Sequence, residues 1–152
     1  MKTFKTHDVG MIQYIAPDGL TISNPDIADM RTNMIDNFSD YWKHGNGSAT
    51  INFFIDKKIQ NSILVFPSKE YGIYLKYLYI TDGKITDEWV SIENPMKLNV
   101  FTECCDEWYV SIGLFLPLEK AWKAIQDFWL DGNKSKQIYW INTADMPKGS
   151  NW

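Results

Sequence analysis

The residues of this chain that could do chemistry are concentrated between Asp82 and Glu107. This window holds seven acidic and two basic residues and carries a net charge of −5, whereas the whole chain carries −4. The rest of the chain therefore sums to +1. Such a segment is commonly a solvated face with turn residues. It is also suited to docking a basic protein, because complementary charge steers association.

Two tryptophans, Trp89 and Trp108, flank the acidic residues. They either pack on a sheet or anchor an interface, where tryptophan and tyrosine concentrate binding energy. The acidic and aromatic residues together form the candidate interface with a protein partner. Its members are Asp82, Asp87, Glu88, Trp89, Glu93, Glu103, Asp106, Glu107 and Trp108.

The two cysteines of the chain, Cys104 and Cys105, are adjacent within the same window. One interpretation is a redox pair or a soft-metal site. The other is a pair of reduced thiols in a reducing compartment, because a disulfide between neighbours is strained and closes almost no loop. The two histidines, His7 and His44, are too far apart to indicate a ligand motif. We expect neither a metal site nor a cofactor.

The catalytic and nucleic-acid signatures that we sought do not occur in the sequence. No phosphate-binding glycine loop, nucleophile elbow or zinc-protease motif is present, so we expect a protein that is not an enzyme. A pair of carboxylates could still hydrolyse glycosides, but nearly any acidic protein offers such a pair. A pI of about 5.1 argues against phosphate contacts with nucleic acid. No apolar run approaches the roughly 20 residues of a membrane span.

The elements that must position these residues are a sheet and two helices. Apolar residues recur at spacings of three and four over 24–44 and over 117–131, which predicts two amphipathic helices. The remaining β-branched and aromatic runs are joined by turn signals, of which Asp82-Gly83 is the clearest. We predict a single α+β domain over 1–152, with an antiparallel sheet covered by the two helices. Residues 145–152 are predicted to form a mobile tail.

The last third of the chain carries a recognisable pattern. A β segment is followed by Leu-Pro-Leu-Glu-x-Ala-x-x-Ala-Ile-x-x-Phe-x-x-x-Gly over 116–132, and then by Ile-x-Trp over 138–140. This pattern resembles the "Imm one" immunity proteins of bacterial polymorphic toxin systems. The resemblance is strongest over 50–142, and it leaves residues 1–48 without an assigned motif. Cys104-Cys105-Asp106-Glu107 departs from it, because a more ordinary polar turn is expected there.

The resemblance implies a small cytoplasmic antidote that binds a cognate toxin domain and occludes the toxin's active site. Toxins paired with such proteins often resemble nucleic-acid deaminases, and a deaminase or nuclease presents a basic groove. A basic toxin would fit the acidic window, and the nine candidate residues are the predicted contacts. The expected partner is thus a protein, with no nucleic acid or membrane, and the expected state is a monomer or weak dimer. The alternative is a small-ligand or peptide-binding module with an aromatic cleft on the sheet face.

The N-terminus has basic residues but no apolar stretch behind them, so it does not resemble a secretory signal. Reduced cysteines agree with that interpretation. The sequence therefore predicts a cytoplasmic location.

Overall fold

The computed structural model of the protein describes residues 10–43, 47–105 and 108–152. The strands are β1 (Met11–Ile15), β2 (Thr21–Ser23), β3 (Ala49–Ile55), β4 (Lys58–Ser68), β5 (Gly72–Thr81), β6 (Lys84–Ile92), β7 (Phe101–Cys104), β8 (Trp108–Ser111) and β9 (Tyr139–Asn142). The α-helices are α1 (Ile27–Arg31), α2 (Phe38–Tyr41) and α3 (Leu118–Asp131). A π-helical segment spans Thr32–Asp36, and short 3-10 turns span Pro95–Lys97, Ile112–Leu114 and Thr143–Asp145.

Within the described residues, seven strands form one sheet in the order β2-β1-β3-β4-β5-β6-β9, and every neighbouring pair is antiparallel. The predicted turn between β5 and β6 is confirmed. Asp82 and Gly83 have φ angles of 51° and 75°, the conformation that a tight hairpin turn requires. The prediction of an α+β fold with an antiparallel sheet is therefore confirmed.

The N-terminal helical stretch is divided into α1, the π-helical segment and α2, where the sequence predicted one helix over 24–44. Asp26 caps α1 by accepting hydrogen bonds from the backbone N–H groups of Ala28 and Asp29. Asn24, whose side chain is of a type that also caps helices, instead accepts a hydrogen bond from the backbone N–H of Ile12 at 3.0 Å. The Asn24 side chain therefore bonds to β1 and does not cap the helix.

Helix α3 closely matches the helix predicted over 117–131. Gly132 follows it with a φ of +73° and donates its N–H to the carbonyl of Phe128 at 2.7 Å. Arg31 of α1 forms a two-pronged ion pair with Glu119 of α3, with N–O distances of 2.5 and 3.2 Å. This pair ties the N-terminal helical stretch to α3.

Side chains of the sheet alternate between two separate cores. Tyr77 belongs to the core shared with the helices, which defines the helix-side face of the sheet. Tyr74 belongs to the core shared with the β7–β8 hairpin, which defines the hairpin-side face. Both tyrosines are fully buried. Burial of each such side chain stabilises the fold by roughly 1.5–3 kcal/mol before entropy is subtracted.

The C-terminal segment is packed on the hairpin side, so the prediction of a mobile tail over 145–152 was wrong. Ser111 donates its backbone N–H to the carbonyl of Asn151, and Asn151 donates its own to the hydroxyl of Ser111, both at 2.9 Å. Met146 and Trp152 pack against the hairpin-side core. Burial of their apolar surface stabilises the packed position of this segment.

None of the helices in the described part of the chain combines the length and apolar character that a bilayer span needs.

Candidate functional site

Strand β6 distributes the predicted site residues over both faces of the sheet. Asp87 and Trp89 lie on the helix-side face, where they pair across the hairpin with Tyr79 and Tyr77 of β5. Glu88 lies between them in sequence and therefore points to the hairpin-side face. The strand separates residues that the sequence had grouped by charge.

The carboxylate of Asp87 is held by a complete set of donors. The side-chain amide of Asn142 donates to Oδ1 at 2.6 Å, and the indole Nε1 of Trp89 donates to Oδ2 at 2.9 Å. The backbone N–H of Glu88 also donates to Oδ1 at 3.1 Å. These hydrogen bonds, led by the one from Asn142, hold the pKa of Asp87 below its ordinary value. The group is thus a fixed negative charge.

Above the same face, the Lys134 ammonium is surrounded by aromatic rings. Its Nζ lies 3.4 Å from the centre of the Trp89 ring, 5.8 Å from that of Tyr79 and 6.0 Å from that of Tyr77. All three distances are within the range of a cation–π interaction. Tyr77, Tyr79 and Trp89 are called the aromatic cage below.

The loop that carries Lys134 is fixed on either side of it. The carbonyl of Gly132 accepts hydrogen bonds from Asn61 at 2.8 Å and from the Tyr77 hydroxyl at 2.7 Å. Downstream, the Ser135 hydroxyl donates to Asp127 at 2.6 Å, and the Ser135 carbonyl accepts from the Trp140 indole at 2.8 Å. The loop backbone therefore presents Lys134 from a rigid base.

Two open depressions meet at the aromatic cage. One lies beneath the end of α3 and the other beside the β5–β6 hairpin, and both are lined by Tyr79, Trp89 and Lys134. The apolar residues around the first include side chains that are strongly exposed. The residues of this edge surface are Tyr79, Trp89, Leu130, Lys134, Tyr139 and Trp140. Leu130 is 80% exposed and Tyr139 is 79% exposed, so the edge surface offers large apolar groups to solvent.

The hairpin-side face holds two further predicted residues, Glu88 and Trp108. Glu88 forms an ion pair with Lys76 at 3.3 Å, and Lys76 lies 5.2 Å from the Trp108 ring centre and 5.7 Å from that of Phe66. Trp108 also packs edge-on against Phe66, with ring centres 4.9 Å apart. This group joins the hairpin to the sheet.

The other predicted residues are dispersed. Glu93 accepts two hydrogen bonds from Lys120 of α3, at 2.8 and 3.0 Å. Asp82 lies at the tip of the β5–β6 hairpin, and Glu103 is exposed on β7. Asp106 and Glu107 lie outside the described residues. The structure thus brings Asp87 together with Trp89 and Glu88 together with Trp108, and their role as toxin contacts stays a prediction.

The cysteine pair lies at the end of β7, in a cleft next to Gly47 and Pro67. The Sγ atoms are 3.7 Å apart, and each thiol donates to a carbonyl, Cys104 to Pro67 at 3.3 Å and Cys105 to Gly47 at 3.4 Å. The contact with the neighbouring Cys105 thiol and burial raise the pKa of Cys104, which disfavours the reactive thiolate. Within residues 10–43, 47–105 and 108–152, no cluster of three metal-ligating side chains occurs.

Sequence reasoning missed Lys134, Tyr79 and Asn142. The signal for the tyrosine was incomplete, because the two-residue turn at Asp82-Gly83 alone would pair Tyr79 with Thr86. A β-bulge between Tyr79 and Ile80 shifts the register, so that Tyr79 lies opposite Asp87. Asn142 and Lys134 reach the site from β9 and from the loop after α3. Only the folded chain brings them there.

Comparisons of this chain with protein-family models, curated proteins and solved structures find no match.

Proposed function

We propose that this protein is an immunity protein that binds a cognate bacterial toxin domain and occludes its active site. The resemblance of residues 50–142 to the "Imm one" immunity proteins supports the class of function. The proposal includes a cytoplasmic location, a monomer or weak dimer, and action without cofactor or catalysis. In it, the N-terminal helical stretch and α3 cover one face of the sheet and keep the binding surface rigid.

The observation that carries the proposal is the edge surface itself. Its exposed apolar groups lie beside the Lys134 ammonium, and Tyr79, Trp89 and Lys134 also line the neighbouring depression that holds the Asp87 carboxylate. The carboxylate is fixed by hydrogen bonds and the ammonium by aromatic contacts. Protein interfaces concentrate their binding energy in such aromatic residues, particularly where polar groups next to them are already oriented. The depressions are open to solvent, which suits the convex surface of a protein partner.

Charge supports the nature of the partner. The chain carries a net charge of −4, and the hydrogen bonds of Asp87 keep that carboxylate ionised. A toxin that acts on nucleic acid presents a basic groove, which a negative protein surface would attract over a distance. Acidic residues outside the edge surface, such as Asp82 and Glu103, would add to the association rate without making close contacts.

The first experiment tests the edge surface against a matched exposed tyrosine. The toxin domain encoded beside the gene is co-expressed with the protein, and binding is measured by calorimetry. Tyr79→Ala should weaken binding at least tenfold and reduce rescue of growth, because Tyr79 is in the edge surface. Tyr109→Ala, at a residue on β8 that is 54% exposed, should leave both unchanged. Equal effects of the two variants, or no binding by the wild type, would contradict the proposal.

A second experiment tests the role of charge in association. Asp82→Lys and Glu103→Lys should slow association and make its rate less sensitive to salt, because long-range attraction is screened by ions. The control is Asp29→Lys, an exposed acid of α1 on the N-terminal helical stretch. An unchanged salt dependence in the first two variants would remove the acidic window from the mechanism.

A further inference from the structure

The position of Lys134 is unusual for a lysine on a protein surface. Its ammonium lies against the face of Trp89 and within 6.0 Å of the ring centres of Tyr77 and Tyr79. Long lysine side chains ordinarily extend their ammonium into water, where it is strongly hydrated. Here the ammonium has exchanged part of that hydration for aromatic faces. The arrangement is that of a binding site for an organic cation, occupied by a residue of the same chain.

Among the described residues, no acid forms a direct ion pair with the ammonium. Within the described part of the chain, the lysines that form ion pairs are Lys43, Lys76 and Lys120, and Lys134 is absent from that set. The acid that acts on its charge is Asp87, whose carboxylate is already bonded to Asn142 and Trp89. Asp87 therefore supplies negative potential to the site and does not hold Lys134 in place.

Burial also lowers the pKa of Lys134, although Asp87 opposes this shift. The lowered pKa means that the positive charge of Lys134 is less favourable in this site than in water. A lysine held in this way can leave at a small cost in free energy, since its ammonium regains water on leaving.

The surroundings leave room for that exchange. The loop backbone is anchored by the bonds of Gly132 and Ser135, so Lys134 can leave by rotation of its side chain alone. The depressions on either side of the cage are open at Lys134, one toward α3 and one toward the β5–β6 hairpin. A side chain from outside could therefore approach the face of Trp89 without rearrangement of the fold.

We propose that the aromatic cage is a cation-binding site that receives a lysine or arginine side chain of the partner protein, and that Lys134 fills it in the unbound state. The nature of this occupant rests on the proposed function, whereas the existence of the site does not. An arginine is the better occupant, because its guanidinium is planar, is more weakly hydrated than an ammonium and stacks on aromatic rings.

Lys134 has a distinct part in this site. It covers the rings before binding, and it competes with any cation that enters. A partner must therefore bind the cage better than an internal lysine does, which excludes weakly binding cations and favours a partner with further contacts on the edge surface. Removal of Lys134 should make the cage accessible to simple cations.

The test uses tetramethylammonium as the probe and needs no toxin. Binding is followed by the NMR shift of the Trp89 indole N–H, which is assigned by its loss in Trp89→Leu. Lys134→Ala should bind the probe about tenfold more tightly than wild type, an increase within the range of a cation–π contact. Lys136→Ala removes an exposed lysine of the same loop and should bind like wild type.

Two further variants keep the test decisive. Lys134→Gln retains most of the side-chain stem and serves if Lys134→Ala loses its folded spectrum. In the background of Lys134→Ala, Trp89→Leu should abolish the gain in binding, which is followed for this variant by the NMR signal of the probe's methyl protons. If neither Lys134 variant binds the probe more tightly than Lys136→Ala does, the cation site is refuted. The site is equally refuted if the probe shifts other indoles and leaves that of Trp89 unchanged.

The outcome is separable from that of the toxin experiments. Binding of tetramethylammonium by Lys134→Ala, together with no binding of any toxin domain by the wild type, would uphold the site and refute the proposed function. Toxin binding without any response of the cage to the probe would uphold the proposed function and refute the site.

Discussion

The two faces of the sheet carry the same three kinds of side chain in different settings. On the hairpin side, Lys76 is paired with Glu88 at 3.3 Å and lies 5.2 Å from the Trp108 ring centre. On the helix side, Lys134 lies 3.4 Å from the Trp89 ring centre. Its neighbouring carboxylate, that of Asp87, is bonded to Asn142 and to the Trp89 indole. One lysine neutralises an acid, and the other interacts mainly with aromatic rings.

The difference follows from what covers each face. The β7–β8 hairpin packs over Lys76, whose side chain is only 16% exposed, so an unpaired charge there would be costly. Lys134 lies at the margin of the sheet, where two depressions admit solvent. Lysine, tryptophan and carboxylate thus stabilise the fold where they are enclosed and paired. Where the face is open, the same kinds of residue remain accessible to solvent.

The largest expected effect is that of Gly132→Ala, which would disturb the loop that carries Lys134 on the helix-side face. A Cβ at this position would lie 2.5 Å from the ring of Phe53, and the φ of +73° is unfavourable for alanine. We expect a loss of about 2–5 kcal/mol in the free energy of unfolding, measured by urea titration. Gly19→Ala has a φ of +88° with nothing near the added Cβ, and should cost only about 1 kcal/mol. Equal losses would show that the contact with Phe53 is easily relieved.

Two matched variants compare how much each lysine contributes to stability. Lys76→Ala should destabilise the protein by about 1–3 kcal/mol, because Glu88 is left without its partner under the hairpin. Lys134→Ala should change stability by less than about 1 kcal/mol, because the lost aromatic contact is offset by the removal of a poorly solvated charge. Both are measured by urea unfolding at neutral pH. A larger loss for Lys134→Ala would assign that lysine to the fold.

The smallest expected effect concerns the acid dependence of stability. The pKa of Asp87 is lower in the folded protein than in the unfolded chain, so its contribution is present above about pH 4 and is lost as the pH falls further. Asp87→Asn should therefore be less stable than wild type at neutral pH, and the difference should shrink between about pH 4 and pH 2. Thermal unfolding across that range measures it.

The control for that experiment is Asp82→Asn at the hairpin tip. Asparagine tolerates the left-handed backbone of this turn, so the variant should follow the wild-type pH profile. A difference between wild type and Asp87→Asn that stays constant with pH would mean that the donors around Asp87 do not depend on its charge.

Much of the sheet could be predicted from local signals. The Asp82-Gly83 dipeptide predicted the hairpin of β5 and β6, although a β-bulge between Tyr79 and Ile80 shifts the register beyond the turn. Helix α3 was equally clear, because Pro117 and Gly132 mark its ends and its apolar residues share one face. Each of these signals acts over a few residues, which is why sequence alone captured it.

The N-terminal helix and the tail required contacts that local rules do not contain. The apolar spacing over 24–44 predicted one helix, but Asn24 is bonded to β1 and the helical turns widen at Thr32. The tail is held by Ser111, about 40 residues upstream in sequence. Long-range hydrogen bonds of this kind override the preference of a short segment.

The candidate site was predicted only in part for a related reason. Charge and residue type drew attention to Asp87 and Trp89, and the structure places them together. The same criteria could not indicate that Lys76 neutralises Glu88 or that Lys120 pairs with Glu93. They also gave no reason to select Lys134, since an isolated lysine after a helix is ordinary in sequence. The partners of a charge, rather than the charge itself, distinguish the two faces.

The π-helical segment Thr32–Asp36 has a consequence for the length of the chain at this point. Asn37 donates its N–H to the carbonyl of Thr32 at 2.8 Å, five residues back, so one turn contains an additional residue. Deleting a residue such as Asn33 would let this turn rewind as an ordinary α turn, and the residues on either side would keep their facing around the helix axis. Trp42, whose indole reaches back to the Met34 carbonyl at 3.1 Å, would then stay in the core. The wide turn therefore absorbs a change of one in residue number that an ordinary α-helix would transmit to every residue after it.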